Sequence, residues 1–133
     1  MIISTKNTYI HYVSQCYEGK SHDYSMLKAE FDPAKKWFKK FIVRVDLAYL
    51  GFDKCYDCKQ VIMPDKKPRK GELTPNQKRN NKKKSSKRIK VEHSIGGMKR
   101  YRILADRLRI HDISLYNSCL EICAGLWNFN LSY

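Results

Sequence analysis

The sequence predicts a mixed α/β fold in a single domain, and three observations carry that expectation. Short β-favouring runs recur at 2–4, 9–14, 41–45 and 60–63, each bounded by turn residues. A helix-compatible segment lies between the second and third of them, and two longer ones fill the C-terminal half. The chain has 133 residues and a hydrophobic share of 42%, enough to bury one modest core and too apolar for a disordered segment.

Taken in order, Ile-Ile-Ser at 2–4 and the run at 9–14 are split by the polar Thr5-Lys6-Asn7, which predicts a hairpin. A turn-rich link at 17–23 follows, with Ser21 or Asp23 as the expected cap of a helix over 24–31 that Asp32-Pro33 closes. His22 and Asp23 together also read as helix-capping residues. The run at 41–45 is a buried strand, so Asp46 projects from its C-terminal tip. Residues 47–57 form a loop or short helix around Gly51, and 60–63 make one more strand that Pro64 ends.

A basic, proline-broken loop at 66–70 leads to Leu-Thr-Pro-Asn-Gln at 73–77. There Thr74 is a helix cap, Pro75 occupies the first helical position, and Gln77 completes a capping box. The helix then runs through a basic stretch to Glu92 and beyond, with Gly96-Gly97 expected to weaken or bend it. A last helix over 113–126 should pack Leu115, Cys119, Ile122 and Leu126 on the sheet.

Charge is the outlier in the composition. There are 27 Lys+Arg against 13 Asp+Glu, a net +14, and 17 of the 27 cations fall between 66 and 109, opposed there only by Glu72, Glu92 and Asp106. Such a surface suits a polyanion. Nucleic acid is favoured over a membrane, since no apolar run approaches the roughly 18–20 residues a span needs. The first residues also lack the pattern of a signal peptide, so an intracellular location is expected. Five cysteines, an odd number, show no secreted framework spacing; Cys55, Cys58, Cys119 and Cys123 could hold zinc only if the two pairs met.

Within 87–104, reading KRIKVEHSIGGMKRYRIL, Glu92 is the one carboxylate. On a helix it shares a face with Ile95, Gly96 and Lys99. His93 would point about 100° away from it. A lone acid among cations is either a salt-bridged surface glutamate or a metal-binding carboxylate acting on a polyanion.

VDLAYLG at 45–51, MPDKKP at 63–68, LTPNQKRN at 73–80, SSKRIKVEHSIGGMKRYRIL at 85–104 and AGLWNF at 124–129 resemble, in order and spacing, DDE transposases of the insertion-sequence and Harbinger-like type. GKSHD at 19–23 also matches a signature of that family. The resemblance implies an RNase-H-like mixed sheet flanked by helices, with three acids converging on two divalent metals, Mg²⁺ or Mn²⁺. By that resemblance Asp46 is the second catalytic and metal-binding acid, and Glu92 the third. Lys99, Arg100 and Arg102 look like phosphate-gripping residues, Lys66, Lys67, Arg69 and Arg88 extend the nucleic-acid-binding surface, and Arg88 is also placed to orient Glu92 by an i, i+4 pairing. The implied partner is DNA (transposon ends and target), in the nucleoid or cytoplasm of a bacterium or the nucleus of a eukaryote. A homo-oligomer of the intact transposase is part of the same expectation.

Two departures bear on activity. Leu47 follows Asp46 where the family has a small polar residue, and no acid lies in residues 1–7 to serve as the first catalytic aspartate. The expectation is therefore an RNase-H-like catalytic domain truncated at its N-terminus, its first strand and the DNA-binding domain absent. Such a chain should have an open sheet edge and be inactive by itself. The alternative is a non-catalytic basic nucleic-acid-binding module.

Overall fold

A computed structural model describes residues 1–17, 19–106 and 112–132. In chain order its elements are β1 (Ile2–Ser4), β2 (Ile10–Val13), α1 (Asp23–Glu30), β3 (Ile42–Arg44), α2 (Phe52–Cys55), β4 (Gln60–Ile62), α3 (Pro75–Met98) and α4 (Ile113–Asn130). The chain is thus mixed α/β, with two small sheets and four α-helices among the described residues. It divides into two compact units, one of Met1–Gly19 with Ile89–Tyr133, the other of Lys20–Arg88.

In the first unit β1 and β2 form the expected antiparallel hairpin, pairing Ile2 with Val13 and Ile3 with Tyr12. Its turn closes through Thr5 N to Tyr9 O (2.9 Å) and Thr8 N to Thr5 O (3.0 Å). Thr8 takes a left-handed φ of 65°, a costly conformation for a β-branched residue. Ile10, Met98, Cys123 and Ala124 form the core, with Ile2, Val13, Leu104, Leu120 and Trp127 packed around them.

Helix α4 reaches Asn130, four residues past its expected end, and Asp112 caps it by accepting from Ser114 N at 2.8 Å. Its packed face differs from the expected one. Leu115, Ile122 and Leu126 are exposed and Cys119 is half-buried, while Cys123 and Ala124 are buried. The helix is apolar on two faces, and amide side chains select between them. Asn128 Oδ1 accepts from Ile10 N (2.8 Å), its Nδ2 donates to Ile10 O (2.7 Å), and Asn117 Oδ1 accepts from Cys16 N (2.9 Å). Those bonds satisfy backbone groups along β2 and turn the Leu120–Trp127 side of the helix inward.

In the second unit, α1 is capped by His22, whose Nδ1 accepts from Tyr24 N at 3.2 Å. His22 reads with Asp23 as a capping residue in the sequence; Ser21 and Asp23, the other candidates, lie on either side of His22. The core is aromatic: Phe52 stacks on Tyr56 with ring centroids 4.9 Å apart, and Phe38 meets both at 5.5 and 5.4 Å. Tyr56 Oη donates to Phe31 O at 2.6 Å, so the polar tip of a buried ring is satisfied. Strands β3 and β4 pair in parallel, with Val43 opposite Val61. Parallel neighbours need a crossover, supplied here by a 3₁₀ turn at Leu47–Tyr49 and by α2. Gly51, at φ 91°, makes the left-handed step into α2.

The predicted capping box opens α3: Thr74 N donates to Gln77 Oε1 (2.9 Å) and Gln77 N donates to Thr74 Oγ1 (3.3 Å). The helix does not break at Gly96-Gly97 but continues to Met98. Gly97 serves close approach instead, because a Cβ there would fall inside the Trp127 ring. At Gly96 the same Cβ would meet nothing within 4 Å. Two opposite outcomes follow for thermal unfolding. Gly97→Ala should destabilise by about 1–3 kcal/mol through overpacking. Gly96→Ala should stabilise by about 0.5–1 kcal/mol by restricting the unfolded chain.

Candidate functional site

Asp46 lies directly after β3 and caps the 3₁₀ turn that follows, its Oδ1 accepting from Ala48 N at 2.9 Å. Its Oδ2 is 3.1 Å from Arg88 Nη1 on α3. The carboxylate is therefore held at both oxygens, by a local backbone amide and by a guanidinium more than forty positions away in the chain. The expectation for Arg88 concerned Glu92 four residues on; its pairing with Asp46 was not foreseen. Leu47 is exposed.

Tyr49 stands near this acid, and Tyr24 meets Tyr49. Tyr24 Oη donates to Gly51 O at 3.0 Å, and the Tyr24 and Tyr49 rings meet edge-on at 6.2 Å. Burial, then the carboxylates of Asp23 and Asp46, push the Tyr49 hydroxyl up to about 12. Burial likewise raises Tyr24, with Cys55 adding to the shift. Arg44, two residues before Asp46, has its Nε buried and without a hydrogen-bond partner among the described residues.

Glu92 is exposed on α3, as are Ile95 and Gly96 on the same face, and Lys99 just past the helix end is exposed too. Ser94, Gly97 and Met98 are buried on the other. His93 is exposed.

The remaining basic residues are on solvated positions. Lys66, Lys67 and Arg69 are exposed on the loop after β4. That loop is tied to α3 at its start, where Asp65 N donates to Asn81 Oδ1 (2.8 Å), Asn81 Nδ2 donates to Asp65 O (3.0 Å), and Lys84 pairs with the Asp65 carboxylate (3.3 Å). In the other unit Lys99 is exposed, Arg100 lies 5.7 Å from the centroid of the Trp127 ring, and Arg102 pairs with Asp106 at 3.1 Å. Exposed pairs of this kind are worth little, so a phosphate can compete for Arg102. Arg107 and Arg109 lie outside the described residues.

Sequence reasoning missed two features. Asp65 and Asn81 form the bracket that positions the basic loop, and nothing local in the sequence marks that pair. The second is a basic-aromatic patch at 35–41, KKWFKKF, with Lys35 over the exposed Trp37 ring (5.5 Å) and Phe41 exposed. Its alternation of cations with aromatics was a readable signal.

Among the described residues no group of three or more His, Cys, Asp or Glu side chains could hold a metal ion. Cys55 and Cys58 belong to the second unit, Cys119 and Cys123 to the first, and all four are free thiols. No described helix is long and apolar enough to cross a membrane.

Residues 1–128 match the DDE superfamily endonuclease family, and the chain belongs to it. Neither the search of curated proteins nor that of solved structures gave a match. Membership supports a nuclease or transposase type of function, with DNA as the class of substrate and divalent-metal dependence as the general rule of the family.

The tyrosine beside Asp46 gives a pH dependence with a definite sign. Its folded-state value exceeds that of the unfolded chain, so ionisation favours unfolding. The stabilisation is complete below pH 10 and disappears as pH rises towards about 12. Chemical denaturation across that window should show a shallower alkaline loss of stability for Tyr49→Phe than for the wild type.

Proposed function

We propose that this chain is part of the RNase-H-like catalytic domain of a DDE transposase, the activity of the complete enzyme being DNA cleavage and strand transfer. Family membership over residues 1–128 is the observation that carries the reading. Asp46 and Glu92 are proposed as two of its metal-binding carboxylates. Both are hard oxygen donors flanked by cations, and Asp46 retains lone pairs beyond those used by Ala48 N and Arg88. The donor set fits Mg²⁺ or Mn²⁺ in kind. When bound, such ions supply charge stabilisation to the entering and leaving oxygens of an in-line phosphoryl displacement.

The rest is work for the chain itself. Arg88 holds the Asp46 carboxylate fixed in direction. Lys66, Lys67, Arg69, Lys99, Arg100 and Arg102 grip phosphates and position the backbone without reading sequence. Among the described residues each sheet has two strands, fewer than independent stability requires. Ser4 Oγ on β1 and Arg44 Nε on β3 are buried without hydrogen-bond partners among the described residues. These features support a further strand in the complete fold, the strand that would bring the first catalytic aspartate. The setting of this activity is inside the cell, where the DNA is.

The second reading, a basic nucleic-acid-binding module without chemistry, rests on the charge, 27 Lys+Arg against 13 Asp+Glu. Metal binding separates the two. Titration calorimetry with Mn²⁺ should show weak binding that Asp46→Asn and Glu92→Ala each remove; binding unchanged in both variants would leave only the module. DNA binding is common to both readings and should weaken steeply with salt. Replacing Lys66 and Lys67 together by Ala should lower the slope of log K against log salt by about 2.

A further inference from the structure

We propose that the turn segment at 35–41 in the second unit is a stacking platform for unpaired bases, through which this chain holds single-stranded DNA. Lys35, Lys36, Lys39 and Lys40 alternate there with Trp37, Phe38 and Phe41. The two adjacent aromatics take opposite directions. Phe38 is buried, its ring against Phe52 and Tyr56 in the aromatic core. Trp37 stays 44% exposed and Phe41 61%. Core packing therefore accounts for Phe38 and leaves the other two rings in water, among cations, as on surfaces that stack bases.

Trp37 is exposed but held. Its Nε1 donates to Asp32 O at 3.1 Å, and its ring meets that of Phe31 edge-on at 5.5 Å. The same carbonyl accepts from Lys35 N (3.0 Å), and Asp32 Oδ1 accepts from Ala34 N (2.9 Å), so the turn that carries the ring is itself braced. A ring fixed before binding loses little freedom when a base stacks on it. The Lys35 ammonium lies 5.5 Å from the ring centroid, near the outer limit of a cation–π contact. A base that displaces it frees that ammonium for the phosphate beside the base.

Three arguments select the occupant. The first is charge. No carboxylate lies between Asp32 and Asp46, where Lys35, Lys36, Lys39, Lys40 and Arg44 stand unopposed in sequence, so the partner is a polyanion. The second is what an indole adds to lysines. In a duplex the base faces are covered by their stacked neighbours, and the grooves present only edges. An exposed ring gains its partner when a base is unpaired, whatever the sequence. The third is the direction of the indole N–H. A Trp seated in a lipid surface keeps that group for the headgroup region, and here Asp32 O has taken it. The segment is also a series of turns, not an amphipathic helix with a broad apolar face. DNA rather than RNA follows from the endonuclease family. The inference thus rests on the DNA partner proposed above and adds to it a strand state and a site.

The test is fluorescence anisotropy of the full chain with three labelled probes at one salt concentration. These are a single-stranded oligo(dT) of about 12 nucleotides, within the site sizes of single-strand binders, an abasic strand with the same phosphates, and a duplex of the same length. Trp37→Ala should weaken oligo(dT) binding roughly 5- to 100-fold, the range for one stacked base, and leave duplex affinity unchanged. Trp37→Phe, which keeps a ring, should retain most of the oligo(dT) affinity. The wild type should prefer oligo(dT) to the abasic strand by a similar factor, a comparison that needs no variant and holds even if Trp37→Ala misfolds. Equal affinity for those two strands overturns the proposal. So does oligo(dT) affinity that a folded Trp37→Ala chain keeps, or a loss that the duplex shares. In those outcomes retained duplex binding leaves the DNA reading above in place, whereas a wild type that binds none of the three probes removes both. Co-sedimentation with phosphatidylserine vesicles that Trp37→Ala abolishes, with oligo(dT) binding intact, overturns the proposal in favour of a lipid surface.

Discussion

The first unit depends on one carbonyl. Thr8 O accepts hydrogen bonds from Ser94 Oγ and from Trp127 Nε1, both at 2.9 Å. It thereby joins the hairpin turn to the end of α3 and to α4 in a single place. Both lone pairs of the oxygen are used, and Ser94 is fully buried, so its hydroxyl has no water as an alternative partner. The left-handed backbone at Thr8 is the local cost of presenting that oxygen. With Trp127 fixed by its ring nitrogen, the ring lies where only a glycine can pass beneath it, and α3 has Gly97 at that position.

Elements whose determinants are local could be read from the sequence. The hairpin follows from two apolar runs around a polar turn, and the start of α3 from Thr74, Pro75 and Gln77 bonding across a single helical turn. What could not be read depends on partners distant in the chain. The face of α4 is chosen by Asn117 and Asn128 bonding to Cys16 and Ile10, more than a hundred residues away, and an apolar count along the helix scores both faces alike. The cap of α1 was local and legible: His22, which reads with Asp23 as a capping residue, accepts from Tyr24 N through a ring nitrogen.

The candidate site divides in the same way. Asp46 at a strand tip and Glu92 among cations were legible, because strand ends and lone acids in basic segments are visible in one dimension. The Arg88 contact to Asp46 and the Asp65–Asn81 bracket were not, since each joins α3 to a segment from elsewhere in the second unit. Together those contacts explain how a helix with few apolar anchors over its first three turns is held, by a capping box at its start and by polar clamps along one side.

That helix also makes ionic strength a structural variable. Lys78 and Lys82, Arg79 and Lys83, Lys83 and Lys87, and Lys84 and Arg88 all stand four apart on α3. Each like-charged pair opposes the helix by about 0.2–0.5 kcal/mol in dilute salt. Added salt screens that repulsion and firms the helix while weakening its hold on any polyanion. A bound polyanion has the first effect without the second. Rigidity of α3 and occupancy of its surface are therefore coupled, and the helix is stiffest when it is engaged.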